Sequence, residues 1–108
     1  MSKQVPVAGI GVCNYNVVSM DFEWDEEKRQ ANLEKHGIDF LRAAQVFDGR
    51  PRLDGDSPRE GEHRIQTTAQ LDGRFVTVVW TERAGVVRII SARRARDGEE
   101  RAHRQIFG

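Results

Sequence analysis

The segment RIQTTAQLDGRFVTVVWTERAGVVRIISARR, residues 64–94, carries the clearest structural signals of this chain. The pairs Asp72-Gly73 and Ala84-Gly85 divide it into three segments that are rich in valine, isoleucine and threonine. An Asp-Gly pair between two such segments is a strong hairpin signal, because a tight type I′ turn needs positive φ angles at both central residues. The stretch therefore predicts a three-stranded antiparallel meander, with strands at residues 64–71, 75–81 and 86–92.

The residues before the meander predict a short strand and two helices. In Asp21-Phe22-Glu23-Trp24 polar and apolar residues alternate, which is typical of a strand whose aromatic side chains face inward. Asp25 can cap a helix that ends at Gly37, because a carboxylate accepts hydrogen bonds from the first turn and glycine tolerates the left-handed conformation after the last. Asp39 can cap a second helix, which Asp48-Gly49 ends.

The remaining segments complete an α+β pattern. Residues 50–62 are rich in Gly, Pro, Asp and Arg and predict a loop with a short strand near Leu53. Asp97 can cap a short C-terminal helix. An N-terminal strand and two helices are thus followed by a three-stranded antiparallel meander and a short C-terminal helix. This order predicts an α+β fold with its helices grouped on one side of the sheet and the other face open.

The opening segment, residues 1–19, differs from the rest of the chain. It carries one charged side chain, Lys3, and precedes the first patterned segment. We expect a poorly structured extension here, ahead of a single domain at residues 20–108. The sequence leaves open whether translation starts at Met1 or at Met20.

The charges of the chain balance in number but not in kind. Lys and Arg total 17 residues, Asp and Glu also total 17, and every basic residue after Lys35 is an arginine. Arginine binds phosphate and carboxylate groups bidentately and keeps its charge. The arginines of the second half therefore indicate a polyanionic or acidic partner, with a solvated helix face as the alternative.

Composition also excludes several classes of protein. Cys13 is the only cysteine, so neither an internal disulfide nor a Cys-rich metal site can form, and we expect a reducing cytoplasm. No apolar run approaches the roughly 20 residues of a membrane span. Because His36, His63 and His103 lack the spacing of metal ligands, we expect no metal and no cofactor.

Two groups of short motifs resemble the BrnT family of toxins, over about residues 21–104. Those of the first half are Phe22-Glu23-Trp24-Asp25, Lys28, Asn32, Lys35-His36-Gly37, Phe40, Ala43-Ala44 and Val46-Phe47-Asp48. Those of the second half are Glu62-His63-Arg64, Asp72-Gly73-Arg74, Thr81-Glu82-Arg83 and Arg88-Ile89-Ile90-Ser91-Ala92-Arg93-Arg94-Ala95. The most specific part is the Lys-His-Gly helix end followed by the Arg-Ile-Ile-Ser-Ala-Arg strand.

This resemblance implies a fold, an activity and a partner. Members of the family have a RelE-like fold and act as ribonucleases that inhibit translation. A BrnA antitoxin with a ribbon-helix-helix domain neutralises them, and the complex represses its own promoter. The resemblance therefore implies the toxin component of a type II toxin–antitoxin system, with an RNA substrate and with DNA contacted only through the antitoxin.

Cleavage of RNA without a metal needs a base, an acid and fixed positive charge around the scissile phosphate. Arginine suits the charge role, and His, Glu and Lys suit proton transfer. We expect catalytic roles for Arg64, Arg93, Glu62, His36 and Lys35, and substrate-binding roles for Arg83, Arg88 and Arg94. Two alternatives stay open, because His36 can instead cap the first helix and Glu62 can pair with Arg64.

Strand alternation predicts where some of these side chains point. In the first meander strand, Arg64 shares the open face with Glu62 and Gln66. In the third, alternation places Arg88 and Ile90 on one face, and Ile89, Ser91 and Arg93 on the other. The aromatic side chains are predicted to fill the core rather than stack on bases, and His103 is predicted to lie on the surface.

Two functions remain open at this stage. The first is a metal-independent endoribonuclease that cleaves RNA by attack of a 2′-hydroxyl on the adjacent phosphodiester. The second is a non-catalytic binding module whose arginine-rich face holds an acidic protein or a nucleic acid. Incubation with RNA in the presence of EDTA separates them.

Overall fold

The computed structural model describes residues 2–6, 21–57 and 63–108. Within them the strands are β1 (Ser2–Pro6), β2 (Asp21–Asp25), β3 (Arg52–Asp56), β4 (Ile65–Leu71), β5 (Arg74–Arg83) and β6 (Val86–Arg94). The helices are α1 (Glu26–His36), α2 (Phe40–Ala43), which continues as a 3₁₀ turn at Ala44–Phe47, and α3 (Asp97–Phe107). The described strands form one sheet in the order β1-β2-β6-β5-β4-β3, so the predicted α+β class is confirmed.

Strands β4, β5 and β6 form the antiparallel meander that the sequence predicts. The turn between β4 and β5 has φ angles of 55° at Asp72 and 80° at Gly73, the signs that a type I′ turn requires. The turn between β5 and β6 repeats these signs at Ala84 and Gly85. β2 runs parallel to β6 and joins the meander at that edge.

Two further strands lie at the edges of the sheet. β3 pairs antiparallel with β4 and contains Leu53, where the sequence predicts a short strand. β1 pairs antiparallel with β2 and occupies residues 2–6, part of the segment for which a poorly structured extension is predicted. The rest of that segment lies outside the described residues, so the domain boundary at residue 20 stays a prediction.

Local signals begin and end the first two helices as predicted. Backbone N–H groups of Lys28 and Glu27 donate to the Asp25 carboxylate, which lowers the pKa of that carboxyl. Gly37 ends α1 with a φ of 72°, in the left-handed region that glycine tolerates. The Asp39 side chain accepts a backbone hydrogen bond at the start of α2. All three predicted caps are confirmed.

The cap predicted for α3 is wrong. Arg96 is the N-cap residue, and Asp97 is the first residue of the helix. The Glu99 carboxylate accepts the Arg96 backbone N–H at 2.8 Å, so the helix begins one residue earlier than a capping aspartate would begin it. Asp97 still favours the helix, because its charge lies at the positive end of the helix dipole.

The core lies on the inner face of the sheet, defined here as the face under α2 and its 3₁₀ turn. Trp24 packs edge-on against Phe40 with ring centroids 6.1 Å apart, and Phe47 lies 5.4 Å from Phe22 and 5.2 Å from Trp80. All five rings are buried. Their predicted place in the core is therefore confirmed, whereas Phe75, which was predicted to join them, is half-buried and packs against His103 on the opposite face.

The opposite face, called the outer face, is partly covered by α3. His103 of this helix is buried, its ring centroid lies 5.1 Å from that of Phe75, and its Nε2 lies 3.2 Å from the Pro51 carbonyl oxygen. The predictions that all helices share one side and that His103 lies on the surface are therefore wrong. Among the described elements, α3 packs mainly against β3 and β4, and it reaches the end of β6 through Glu99.

A membrane-spanning helix needs about 20 predominantly apolar residues. Within the described residues, no helix is both long and apolar enough to cross a membrane.

Candidate nucleic-acid interface

A β-bulge in β6 decides which side chains share the outer face. The register between β5 and β6 shifts so that Ile90 has no partner on β5. An extra residue of this kind shifts the alternation of side chains by one position. Ser91 and Arg93 therefore lie on the same face as Arg88, and the sequence-based placement of Arg88 and Arg93 on opposite faces is wrong.

Arg88 forms an ion pair on the outer face with Glu23 of the neighbouring strand. Its Nη1 lies 3.0 Å from Glu23 Oε2, and the two side chains are only 21% and 22% exposed. The parallel register between β2 and β6 places these residues side by side. Only one guanidinium nitrogen contacts the carboxylate, so Nε and Nη2 keep N–H donors for another acceptor.

Arg93 is held more firmly, by Glu99 of α3. Two of its guanidinium nitrogens donate to the two Glu99 carboxylate oxygens, each at 2.9 Å. The Thr77 hydroxyl donates to the same carboxylate at 2.9 Å, and Thr68 lies within hydrogen-bond distance of Thr77. A bidentate pair that is supported from beneath by buried hydroxyl groups fixes the direction of the guanidinium plane.

The Glu99 carboxylate is kept ionised by these contacts. The Arg93 guanidinium is the main cause that lowers the pKa of Glu99 from 4.5 to about 2, and the Arg96 backbone N–H and the Thr77 hydroxyl add to it. A carboxylate with so low a pKa is a poor proton acceptor near neutral pH. Glu99 therefore acts as an anchor for Arg93 and is unsuited to be the general base.

Uncharged side chains lie between the two arginines on the outer face. Gln66, Val79 and Ser91 form one row across β4, β5 and β6, and all three are half-buried. Arg88 and Arg93 lie opposite β5 residues that are four positions apart. At about 3.3 Å per strand residue, their backbones are thus about 13 Å apart. Long arginine side chains at the two ends can approach one anionic group over this row.

Two more of the predicted residues lie toward the Arg88 end of the sheet. Arg64 directly precedes β4, and alternation from the inward-facing Thr67 places it on the outer face, as predicted. Arg83 is the last residue of β5 and is exposed. Both residues make contacts within the protein. The outer face thus brings together Arg64, Arg83 and Arg88 at one end and has Arg93 nearer the other.

The structure separates the other predicted residues from this group. Arg94 lies opposite the buried Val76, so it belongs to the inner face. Lys35 and His36 directly precede Gly37, which lines a pocket together with Arg94 on that inner side. The side chains of these three residues therefore lie apart from the outer-face side chains of Arg88 and Arg93. Glu62 lies outside the described residues, and its predicted role stays a prediction.

Two functional candidates were missed from the sequence. Glu23 was considered only as a polar residue of a strand, although its alternation with Phe22 and Trp24 places it on the outer face. This alternation is visible in the sequence, so it is enough to predict an outer-face position for Glu23. Glu99 had no such signal, because its contact with Arg93 depends on how α3 folds back onto the sheet.

A metal centre needs several donor side chains close together. Among the residues that the structure describes, no three His, Cys, Asp or Glu side chains lie close enough together to hold a metal ion. The carboxylates of the outer face are instead paired with arginines.

Comparison with known proteins gives a family for this chain. Residues 24–99 match the family described as “Ribonuclease toxin, BrnT, of type II toxin-antitoxin system”. The matched range is well over half of the chain and includes Arg88, Arg93 and Glu99. A comparison with curated proteins found no match.

Proposed function

This chain belongs to the BrnT family of ribonuclease toxins of type II toxin–antitoxin systems, and we propose that it is a metal-independent endoribonuclease that cleaves mRNA and so inhibits translation. The proposal includes a RelE-like fold, action in the cytoplasm where mRNA is translated, and neutralisation by a BrnA-like antitoxin with a ribbon-helix-helix domain. In this proposal the toxin contacts DNA only through that antitoxin.

The reaction proposed is internal transfer at a phosphodiester. The 2′-hydroxyl of the substrate attacks the adjacent phosphorus, its proton passes to a base, and the P–O5′ bond breaks with a proton supplied to the leaving oxygen. The products are a 2′,3′-cyclic phosphate and a free 5′-hydroxyl. Positive charge that is already oriented stabilises the extra negative charge of the transition state, and one such group contributes a factor of about 10²–10³ in rate.

The observation that carries the proposal is the shared outer face of Arg64, Arg88 and Arg93. Arg88 and Arg93 are each oriented by a carboxylate, Glu23 and Glu99 respectively. Oriented guanidinium groups bind phosphate without having to reorganise, which is what transition-state stabilisation requires. In the proposed complex the scissile phosphate lies over the uncharged row between them.

Within this mechanism Glu23 is the proposed general base. Its carboxylate is 22% exposed, is paired to one nitrogen of Arg88, and lies on the same face as the proposed phosphate position. The roles predicted for Glu62, His36 and Lys35 are secondary proposals. His36 and Lys35 would have to act from another part of the surface.

One observation favours the alternative function. Arg88 and Arg93 both have a carboxylate partner of their own, which neutralises part of the positive charge that a nuclease site needs. A non-catalytic module that holds an acidic protein or a nucleic acid would also use such a face. Cleavage, rather than binding, therefore has to be measured.

The test uses purified protein, a labelled single-stranded RNA and EDTA. We expect cleavage with 2′,3′-cyclic phosphate ends. Arg88→Ala is expected to lower the rate about 100-fold, and Arg88→Lys should recover only part of it, since lysine lacks the planar fork. Arg101→Ala is the matched control, because Arg101 is an exposed arginine on α3, and its rate should be unchanged.

Three results would argue against the proposal. Intact RNA with tight binding would support the binding module. A need for added Mg²⁺ would contradict the metal-independent reaction. Unchanged cleavage, and unchanged growth arrest on expression, in Arg64→Ala, Arg88→Ala and Arg93→Ala alike would show that the outer face is not the site. Thermal melts of each variant separate loss of activity from loss of folding.

A further inference from the structure

A second arginine cluster surrounds a pocket on the inner face. The pocket has a volume of about 280 Å³ and lies between the loop that follows α1 and the turn between β4 and β5. Arg42, Arg74 and Arg94 line it, together with apolar side chains of Ile38, Leu71 and Val76. It is on the opposite face of the sheet from Arg88 and Arg93, so it is separate from the proposed RNA site.

The charges around this pocket do not cancel. Arg42 forms an ion pair with Asp72 at the rim. The other carboxylate of the lining, Asp39, bonds Arg29 at 2.9 Å and caps α2. Among the described residues, neither the Arg74 nor the Arg94 guanidinium has a hydrogen-bond or ion-pair partner. The Arg74 and Arg94 guanidinium groups thus lie beside the apolar floor of the pocket without an anionic partner among the described residues.

The strand register brings these two arginines to one place. Arg94 lies directly opposite Val76, and Arg74 lies two residues before Val76 on the same strand. Residues in this diagonal relation have backbones about 7–8 Å apart and side chains on the same face. Val76 is 3% exposed and Leu71 is 5% exposed, so the floor below the guanidinium groups is a firm apolar surface.

We propose that this pocket docks an acidic segment of a protein partner, in which a carboxylate neighbours an apolar side chain. The carboxylate would bind between Arg74 and Arg94, and the apolar side chain would contact the half-buried Ile38 beside them. Asp39 and Asp72 are each paired with an arginine, so the pocket offers two adjacent guanidinium groups, which match one carboxylate better than a run of phosphates. The identity of the partner rests on the antitoxin of the proposed function. The chemistry of the docked segment is inferred from the pocket alone.

The test measures binding of a defined probe by fluorescence anisotropy. The probe is a fluorescein-labelled octapeptide of alternating glutamate and leucine, and its matched control alternates glutamine and leucine. We expect the acidic peptide to bind, and Arg74→Gln and Arg94→Gln each to weaken its Kd about tenfold, the loss of one charge-assisted contact. Arg101→Gln, an exposed arginine on α3, should leave the Kd unchanged.

A second measurement does not depend on variants. In ¹⁵N spectra of the wild-type protein, addition of the acidic peptide should shift the amide signals of Gly73, Val76 and Arg94 and leave those of Arg88 and Ser91 in place. Shifts confined to Arg88 and Ser91, no binding at millimolar peptide, or equal Kd values for the acidic and the neutral peptide would each overturn the proposal.

RNA cleavage and peptide docking can fail independently. The Arg74→Gln variant should cleave RNA at the wild-type rate in the assay above, while its Kd for the acidic peptide rises about tenfold. A cleavage-resistant 2′-O-methyl octaribonucleotide that shifts Gly73 and Val76 would assign the pocket to RNA and overturn the peptide proposal. Peptide binding in a protein that fails to cleave RNA would refute the ribonuclease and leave the pocket proposal standing.

Discussion

Substitution of Glu99 by glutamine tests the contact that connects α3 to the outer face. Glutamine keeps the size of the side chain and its bond to Thr77 but removes the charge that holds Arg93. Glu99 is 20% exposed, and its pKa falls from 4.5 to about 2 in the folded protein. Each pKa unit corresponds to about 1.4 kcal/mol, so the shift sets an upper bound of about 3 kcal/mol. Solvent screening of a partly exposed pair reduces this to about 2 kcal/mol.

The sign of the pH dependence follows from the direction of the shift. A carboxyl whose pKa is lowered by folding stabilises the protein fully above the unfolded value of 4.5. That stability is lost as the pH falls from 4.5 toward about 2, since the proton then binds the folded form as well. The difference between wild type and Glu99→Gln should therefore be about 2 kcal/mol at pH 7 and should shrink steadily below pH 4.5.

The assay is urea denaturation, followed by circular dichroism, at pH 7, 5, 4 and 3. At pH 7 the melting temperature of Glu99→Gln should also be lower by about 8–12 °C. Glu100→Gln is the matched control, because Glu100 is the next residue of α3 and, within the described part of the chain, pairs only with the exposed Arg104. Its loss should stay below about 0.5 kcal/mol at every pH. Equal losses in the two variants, or a Glu99→Gln difference that does not change with pH, would refute the reasoning.

Three further perturbations test the framework. Asn32→Ala should lower the free energy of unfolding in urea by about 2–4 kcal/mol, since the buried Asn32 amide makes three hydrogen bonds to backbone groups. Gln30 is exposed on the same helix, so Gln30→Ala should cost little, and equal losses would contradict this reasoning. Gly37→Ala should lose about 1 kcal/mol in the same assay through its φ of 72°, and no loss would mean that this strain is absent. Deletion of Ile90 should remove the bulge and keep Arg93 on the outer face, beside Glu99. The deletion variant should therefore still lose stability below pH 4.5 in urea titrations, and a flat pH profile would show that the register has moved.

The register of β6 also changes what is expected of Arg93. An exposed strand arginine adds little to stability, and on that view Arg93→Ala would leave the melting temperature nearly unchanged. The bidentate pair with Glu99 predicts the opposite: Arg93→Ala should lose about as much stability as Glu99→Gln. Arg64→Ala tests whether a strand arginine elsewhere on the outer face adds as little to stability as that first view holds.

Local signals in the sequence were enough for most of the secondary structure. Asp72-Gly73 defined the hairpin, and Asp25, Gly37 and Asp39 defined the ends of the first two helices, because each acts through backbone groups within a few residues. The inward position of five aromatic residues also followed from alternation and spacing, but Phe75 lies on the outer face against His103. The family could be recognised from the same short motifs, since they are contiguous in the chain.

Contacts between distant segments were decided only by the tertiary structure. The bulge at Ile90 leaves no mark in the local pattern, yet it places Arg93 on the same face as Arg88. The packing of α3 on the outer face buried His103 and gave Arg93 its partner Glu99. Sequence alone determined most of the elements, because hydrogen bonds within a turn or a cap depend on neighbouring residues. The site depended on the fold, because the direction of an arginine and the charge it meets are set by segments that the chain brings together from far apart.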